Sequence, residues 1–365
     1  MERYPVSELS ESKSPESKSR VGSYRQAFQQ SVDDREGFWL DAAKLIDWTT
    51  EPTVALDSTA APLYRWFAGA ELNTCFNALD RHVLAGRGDT TALIYDSPVV
   101  GKKKSYSYAT LLDKVARFAG VLADAGVSKG DRVIIYMPMM PQAIVAMLAC
   151  ARLGAVHSVV FGGFAAKELA ARIDDAEPVA IVTATGGIEP NRVVEYLPTI
   201  AAALEIARHR VGTVIVKDRP EVPGWAWDHA TEGTAWWDWD EHSMTANPRA
   251  AVAVAATDPL YILYTSGTTG APKGIVRDNG GHAVAMAWSM KNVYGVGPGD
   301  VMWTASDVGW VVGHSYIVYG PLIAGATTVL YEGKPVGTPD AGAFWRVVSD
   351  YRVKTLFTAP TALRA

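Results

Sequence analysis

At 365 residues, with a net charge of −5 and a pI near 5.8, the chain carries no basic field, which argues against nucleic acid as a partner. Hydrophobic content of 48% and charged content of 20% describe a globular protein able to bury about three quarters of its unfolded surface. Two cysteines, Cys75 and Cys150, stand in no C-x-x-C pair and beside no histidine cluster, which argues against a disulfide scaffold or a cysteine metal site and fits a reducing cytoplasm.

In chain order, residues 1–20 are rich in Ser, Glu and Lys and read as a disordered tail. They contain no apolar core of a secretion signal, and their acidic residues argue against a transit peptide. Residues 21–82 read as a small, mainly helical segment. Tyr24, Phe28, Phe38, Trp39 and Trp48 give it aromatic side chains to pack against a larger domain. Asn73, Asn77, Asp80, Arg81 and His82 fall together, and a hydrogen-bonded structural network is preferred over a ligand site.

From about residue 92, helix and strand alternate. Ser107 can cap a helix in which Leu111, Val115, Phe118 and Leu122 recur at helical spacing. The β-branched run 133–136 predicts a strand, and Pro138 and Pro141 break it before a helix over 144–153. The apolar run inside that helix, 143–150, ends near Arg152 and is too short to span a bilayer. A strand over 156–161, a helix over 167–175, a strand over 179–183, a helix over 191–207 and a strand over 213–216 follow. Strands alternating with helices predict an α/β fold, parallel-sheet layers flanked by helices, with ligands at the carboxyl ends of the strands. Trp225, Trp227, Trp236, Trp237 and Trp239 lie among Gly, Asp and Glu in 220–248 and are read as packing a long loop onto the body.

The apolar run 260–263 leads directly into Tyr264-Thr265-Ser266-Gly267-Thr268-Thr269-Gly270-Ala271-Pro272-Lys273-Gly274. Glycines let a backbone approach an anion closely, and successive N–H groups form an anion-binding nest. Thr265, Ser266, Thr268 and Thr269 add hydroxyls, and Lys273 adds a mobile cation for a polyphosphate. A P-loop NTPase is disfavoured: its motif needs G-x-x-x-x-G-K-[ST], whereas Lys273 follows Gly270 by three residues and precedes Gly274.

This loop resembles the phosphate-binding signature of the adenylate-forming enzymes, and the chain is similar to the acetyl-CoA and propionyl-CoA synthetases among them. The stretches 66–82, 129–164 and 305–333 support the likeness, which runs from about Ser23 to the last residue. Residues 277–290 and 332–346 resemble the propionate enzymes more than the acetate ones. The resemblance implies a cap segment over 21–82 and an AMP-binding adenylation domain over 83–365. It implies an acid–thiol ligase that uses ATP, CoA and Mg2+: a short-chain carboxylate attacks the α-phosphorus of ATP, pyrophosphate leaves, and the CoA thiol then displaces AMP. Thr265, Ser266, Gly267, Thr268, Thr269, Gly270 and Lys273 would hold the β- and γ-phosphates. Trp310, Val311 and Val312 would wall the acyl pocket, although Trp310 could be a core residue and His314 a structural one. Phe161, Gly162 and Gly163 would approach the CoA adenine, and Arg192 would meet the CoA phosphate.

Three positions depart from the family pattern. Glu189 and Leu197 stand where basic residues are common, and Ala271 replaces a frequent lysine. The family continues past Ala365 with the Mg2+-binding glutamate and a lysine-bearing domain, so the resemblance implies an N-terminal part with neither metal ligand nor catalytic lysine. The isolated chain is expected to have little or no ligase activity. Acetate as the acid, and a non-catalytic nucleotide- or CoA-binding role, stand as the alternatives; the partners are small molecules, with neither nucleic acid nor membrane.

Overall fold

The structure, a computed structural model, describes residues 15–189, 192–222, 231–265, 273–334 and 338–364, with side chains from residue 24 onward. Two sheets organise it. In chain order their strands are β1 (Thr91–Ser97), β2 (Lys102–Ser107), β3 (Arg132–Tyr136), β4 (Val156–Val159), β5 (Ala180–Ala184), β6 (Thr213–Lys217), β7 (Ala235–Asp238), β8 (Pro259–Thr265), β9 (Lys273–Asp278), β10 (Val301–Ala305), β11 (Thr327–Tyr331) and β12 (Thr355–Thr358). The larger sheet has the order β7-β6-β5-β3-β4-β8-β9 and the smaller β12-β10-β11-β1-β2. Within each sheet the neighbours are parallel except for one hairpin, β8 with β9 and β1 with β2.

Burial follows from this order. Central strands covered on both faces read as continuous apolar runs: Val133, Ile134 and Ile135 are fully buried, as is all of β5. The edge strand β2 carries Lys102, Lys103 and Lys104 on its exposed residues, and such charges discourage pairing with another chain. The helix Pro141–Leu153 is buried along its length apart from Gln142, because it lies between the two sheets. Beside it the helix Tyr108–Asp124 buries Leu111, Val115, Phe118 and Leu122, and the Ser107 Oγ accepts from the Thr110 N–H at 3.2 Å as its N-cap. Helices Ala166–Ala176 and Leu197–Ile206 cover the other face of the larger sheet, and Ala343–Asp350 covers that of the smaller. The result is helix, sheet, helix, sheet, helix in layers.

The N-terminal segment packs through its aromatic residues. Phe38 and Trp39 on the helix Arg35–Ala43 meet Trp288 on the helix Gly280–Ser289 at ring separations of 5.6 and 6.2 Å. The helix Pro15–Asp33 extends into the polar stretch read as a tail, where Glu16, Lys18 and Arg20 are good helix formers; residues 1–14 lie outside the described residues.

A second difference concerns 191–207. Only Leu197–Ile206 is helical, and Arg192–Glu195 is a strand paired antiparallel with Gly186–Glu189. Val193 and Val194 favour the strand, and Tyr196 with Pro198 sets the helix start. The Trp cluster is partly visible: Trp239 stacks on Phe118 at 3.6 Å, as the packing reading requires, while Trp225 and Trp227 lie outside the described residues.

Candidate functional site

The parallel strands of the larger sheet deliver their loops to one edge, and β4 and β8 are adjacent with Tyr261 opposite His157. Four residues further along each strand, Thr265 and Phe161 therefore leave the sheet at the same level. Thr265 pairs with Lys273 across the β8–β9 hairpin, so these two exposed residues form the root of the predicted phosphate loop. Ser266, Gly267, Thr268, Thr269 and Gly270 lie outside the described residues. Beneath the root, the Tyr264 hydroxyl donates to Asp175 at 2.5 Å and the Arg172 guanidinium lies 5.6 Å from the Tyr264 ring.

Beyond β4, the Tyr136 hydroxyl donates to the carbonyls of Gly162 at 3.2 Å and Phe164 at 2.9 Å and fixes the loop 160–164. Glycine is required at two positions by close approach. A Cβ on Gly162 would lie 2.1 Å from the Tyr196 hydroxyl, and one on Gly187 would lie 2.5 Å from the same oxygen. Phe161, thus exposed, sits 6.3 Å from the Trp310 ring, which projects from the loop after β10. Trp310 is 53% exposed, which removes the core reading for it. Val311 is also exposed and Val312 is half-buried.

A pocket of about 140 Å³ opens here, with Phe161, Gly162, Gly163, Glu189, Asp307 and Lys334 in its walls. The Asp307 carboxylate accepts from the Gly309 N–H at 2.7 Å, and burial raises its pKa. Arg192 stands beside the pocket, its Nε 3.0 Å from Glu189, and Lys334 approaches the other Glu189 oxygen at 3.7 Å. The residue that removes one basic contact thus lies between two cations. Lys334 carries no role in the sequence reading, and Asp307 enters it only within the stretch 305–333. Lys334 lies within 332–346, a stretch used only to compare acids, and the fold alone shows that it reaches Glu189.

Under the pocket a buried ion pair ties the two sheets together. Arg219, just past β6, donates to Glu332, just past β11, at 2.9 and 3.3 Å. Glu332 also accepts from the Ser97 hydroxyl at 2.8 Å and from the Tyr95 phenol, whose pKa is raised by burial and by the adjacent carboxylate. The Arg219 N–H bonds the Thr185 hydroxyl at 3.0 Å, so the pair also positions the start of the hairpin 186–195.

His314 lies behind the Trp310 loop, fully buried, with Nδ1 3.1 Å from the Trp310 carbonyl. Burial lowers its pKa to about 4, so it is neutral at physiological pH and structural in position. The polar cluster of the N-terminal segment is likewise a structural network. Asn73 Nδ2 donates to Ala151, Arg152 and Val252 carbonyls, and Arg152 holds Asp80 at 2.7 and 3.0 Å. Among the described residues, no trio of His, Cys, Asp or Glu is placed to hold a metal ion. Among them, no helix is long and apolar enough to cross a membrane.

The sequence profile of the AMP-binding enzymes matches residues 79–365, and that of the acetyl-coenzyme A synthetase N-terminus matches 24–78. The chain belongs to the AMP-binding enzyme family, in its short-chain acyl-CoA and acetyl-CoA synthetase-like branch. It is 53% identical over 350 residues to the mitochondrial acyl-CoA synthetase short-chain family member 3 of Bos taurus, covering 94% of this chain and 50% of that protein. It is 44% identical over 344 residues to the acetyl-coenzyme A synthetase of Streptomyces avermitilis, covering 93% and 51%. The acetoacetyl-CoA synthetase structure from Streptomyces lividans superposes with a TM-score of 0.82 at 30% identity, over 92% of this chain and 50% of that one. The chain spans about half the length of the curated relatives it matches.

Proposed function

We propose that this chain is the phosphate-, acyl- and CoA-facing part of an ATP-dependent short-chain carboxylate–CoA ligase that prefers propionate. The observation that carries the reading is Phe161, in the wall of the pocket, standing 6.3 Å from Trp310 and level with Thr265 on the neighbouring strand. In the first step a propionate oxygen attacks the α-phosphorus of ATP and pyrophosphate leaves. Thr265, Ser266, Gly267, Thr268, Thr269, Gly270 and Lys273 hold the β- and γ-phosphates and neutralise the departing charge. Trp310, Val311 and Val312 enclose the acyl tail. In the second step the CoA thiol attacks the acyl-adenylate carbonyl and AMP leaves. Phe161, Gly162 and Gly163 receive the CoA nucleotide, and Arg192 meets its phosphate with Lys334 offsetting Glu189. Mg2+ is general to such chemistry, and its ligand is proposed to lie outside this chain, as is the catalytic lysine.

Propionate over acetate rests on residues 277–290 and 332–346. One methylene supports only about 10–200-fold discrimination, so both acids are turned over. Two buried free thiols suit a reducing compartment, cytoplasmic or mitochondrial as the Bos taurus relative is named. In the complete protein, Lys273→Ala is expected to cut propionate-dependent pyrophosphate release by about 100-fold, as for loss of one preorganised charge contact. Unchanged release would remove the loop from the reaction.

A further inference from the structure

A second cavity, of about 260 Å³, lies where the N-terminal segment meets the large domain, and it shares no lining residue with the Phe161 pocket. Its size is just below the ~300 Å³ lower end of drug-sized sites, which limits a ligand to a small molecule. One wall is aromatic: Trp39 and Trp66 lie 5.7 Å apart, and Trp66 and Phe67 6.1 Å apart. The floor carries His282, which is 4% exposed with neither ring nitrogen hydrogen-bonded among the described residues. Burial lowers the His282 pKa to about 3, so it presents one donor and one acceptor, and leaving both bare in a packed interior is costly. Two opposite charges complete the lining. Arg277 is exposed at the mouth, and Asp278 is half-buried, its carboxylate accepting from the His282 backbone N–H at 3.2 Å with no ion-pair partner among the described residues.

An anionic ligand would meet Arg277 but face Asp278, and a cationic one would meet Asp278 but face Arg277. A molecule with both charges on neighbouring atoms satisfies each, and the aromatic wall asks it for an apolar body. We propose that this cavity binds a zwitterionic α-amino acid with a large apolar side chain, its carboxylate on Arg277, its ammonium on Asp278 and its side chain against Trp39, Trp66 and Phe67. His282 hydrogen-bonds the polar end. The site joins the N-terminal segment to the helix Gly280–Ser289, so occupancy fastens one to the other. The proposal does not depend on the ligase reading.

Calorimetric titration of the purified protein with L-phenylalanine, 3-phenylpropionate and phenethylamine tests it. L-Phenylalanine is expected to bind at least ~10-fold more tightly than either single-charge analogue, the size of one charge-assisted hydrogen bond. Arg277→Gln, at an exposed position that does not threaten folding, should erase the advantage over phenethylamine. Ala285→Trp, which fills the cavity, should abolish binding. No binding of L-phenylalanine, equal affinity for the three compounds, or undiminished binding in Arg277→Gln would overturn the proposal.

Discussion

Two sets of rings lie at neighbouring depths beside the larger sheet, and they differ in what surrounds them. At the strand ends, Phe161 and Trp310 are 39% and 53% exposed and lie 6.3 Å apart, with Phe164 edge-on to Phe161 at 6.1 Å. Deeper, His157 on β4, Tyr261 on β8, His282 on the helix Gly280–Ser289, and His314 and Tyr319 in the helical segment His314–Tyr319 form a buried layer, all at most 4% exposed. Their rings stand 4.7 to 6.0 Å apart, and His157 shares one hydrogen bond with the Tyr319 hydroxyl at 2.6 Å. The upper rings are free to meet a ligand, while the lower rings hold the strands and the Trp310 loop in place. Residue type does not separate these roles; depth below the strand ends does.

The contrast breaks most visibly under truncation. Tyr319→Ala should lower the unfolding free energy by about 3–5 kcal/mol, the range for deleting a large buried ring. Trp310→Ala should change it by no more than about 0.5 kcal/mol, as at an exposed site. Urea denaturation of both proteins measures the difference, and equal costs would erase the distinction.

A pH titration sharpens the same comparison. The buried layer holds His314 and His282 with pKa values lowered to about 4 and about 3, against about 6.5 in an unfolded chain. Between those values the unfolded chain binds protons that the folded one does not. Stability is therefore complete above pH 6.5 and lost progressively as pH falls towards 3. Replacing His282 with Leu should flatten that slope in pH-dependent denaturation, and an unaltered slope would show that the layer does not govern it.

Much of this organisation was legible in the sequence. Ser107 with its heptad-like apolar residues announced a helix, and the β-branched runs at 133–136 and 213–216 announced central strands, because local propensity and burial agree there. The hairpin 186–195 was not legible: glycines and a charged turn gave no helical or alternating pattern, and its pairing depends on Tyr196 closing over Gly162 and Gly187. Thr265 and Lys273 could be placed at a strand end from the motif alone. That Glu189 lies between Arg192 and Lys334 could not, since residues about 140 positions apart meet only through two different sheets. The cavity under Trp39 and Trp66 joins the N-terminal segment to a helix near residue 282, and no local pattern signals such a junction.

The most direct test of the account is calorimetric titration of CoA into the purified protein and into Phe161→Ala, a change at an exposed ring that leaves the fold intact. The account predicts saturable binding that weakens about 10-fold or more in the variant, in line with the ~1–3 kcal/mol worth of stacking a base on an aromatic ring. Equal affinity in the two proteins, or no binding by the unaltered one, would contradict the assignment of the Phe161 pocket to CoA.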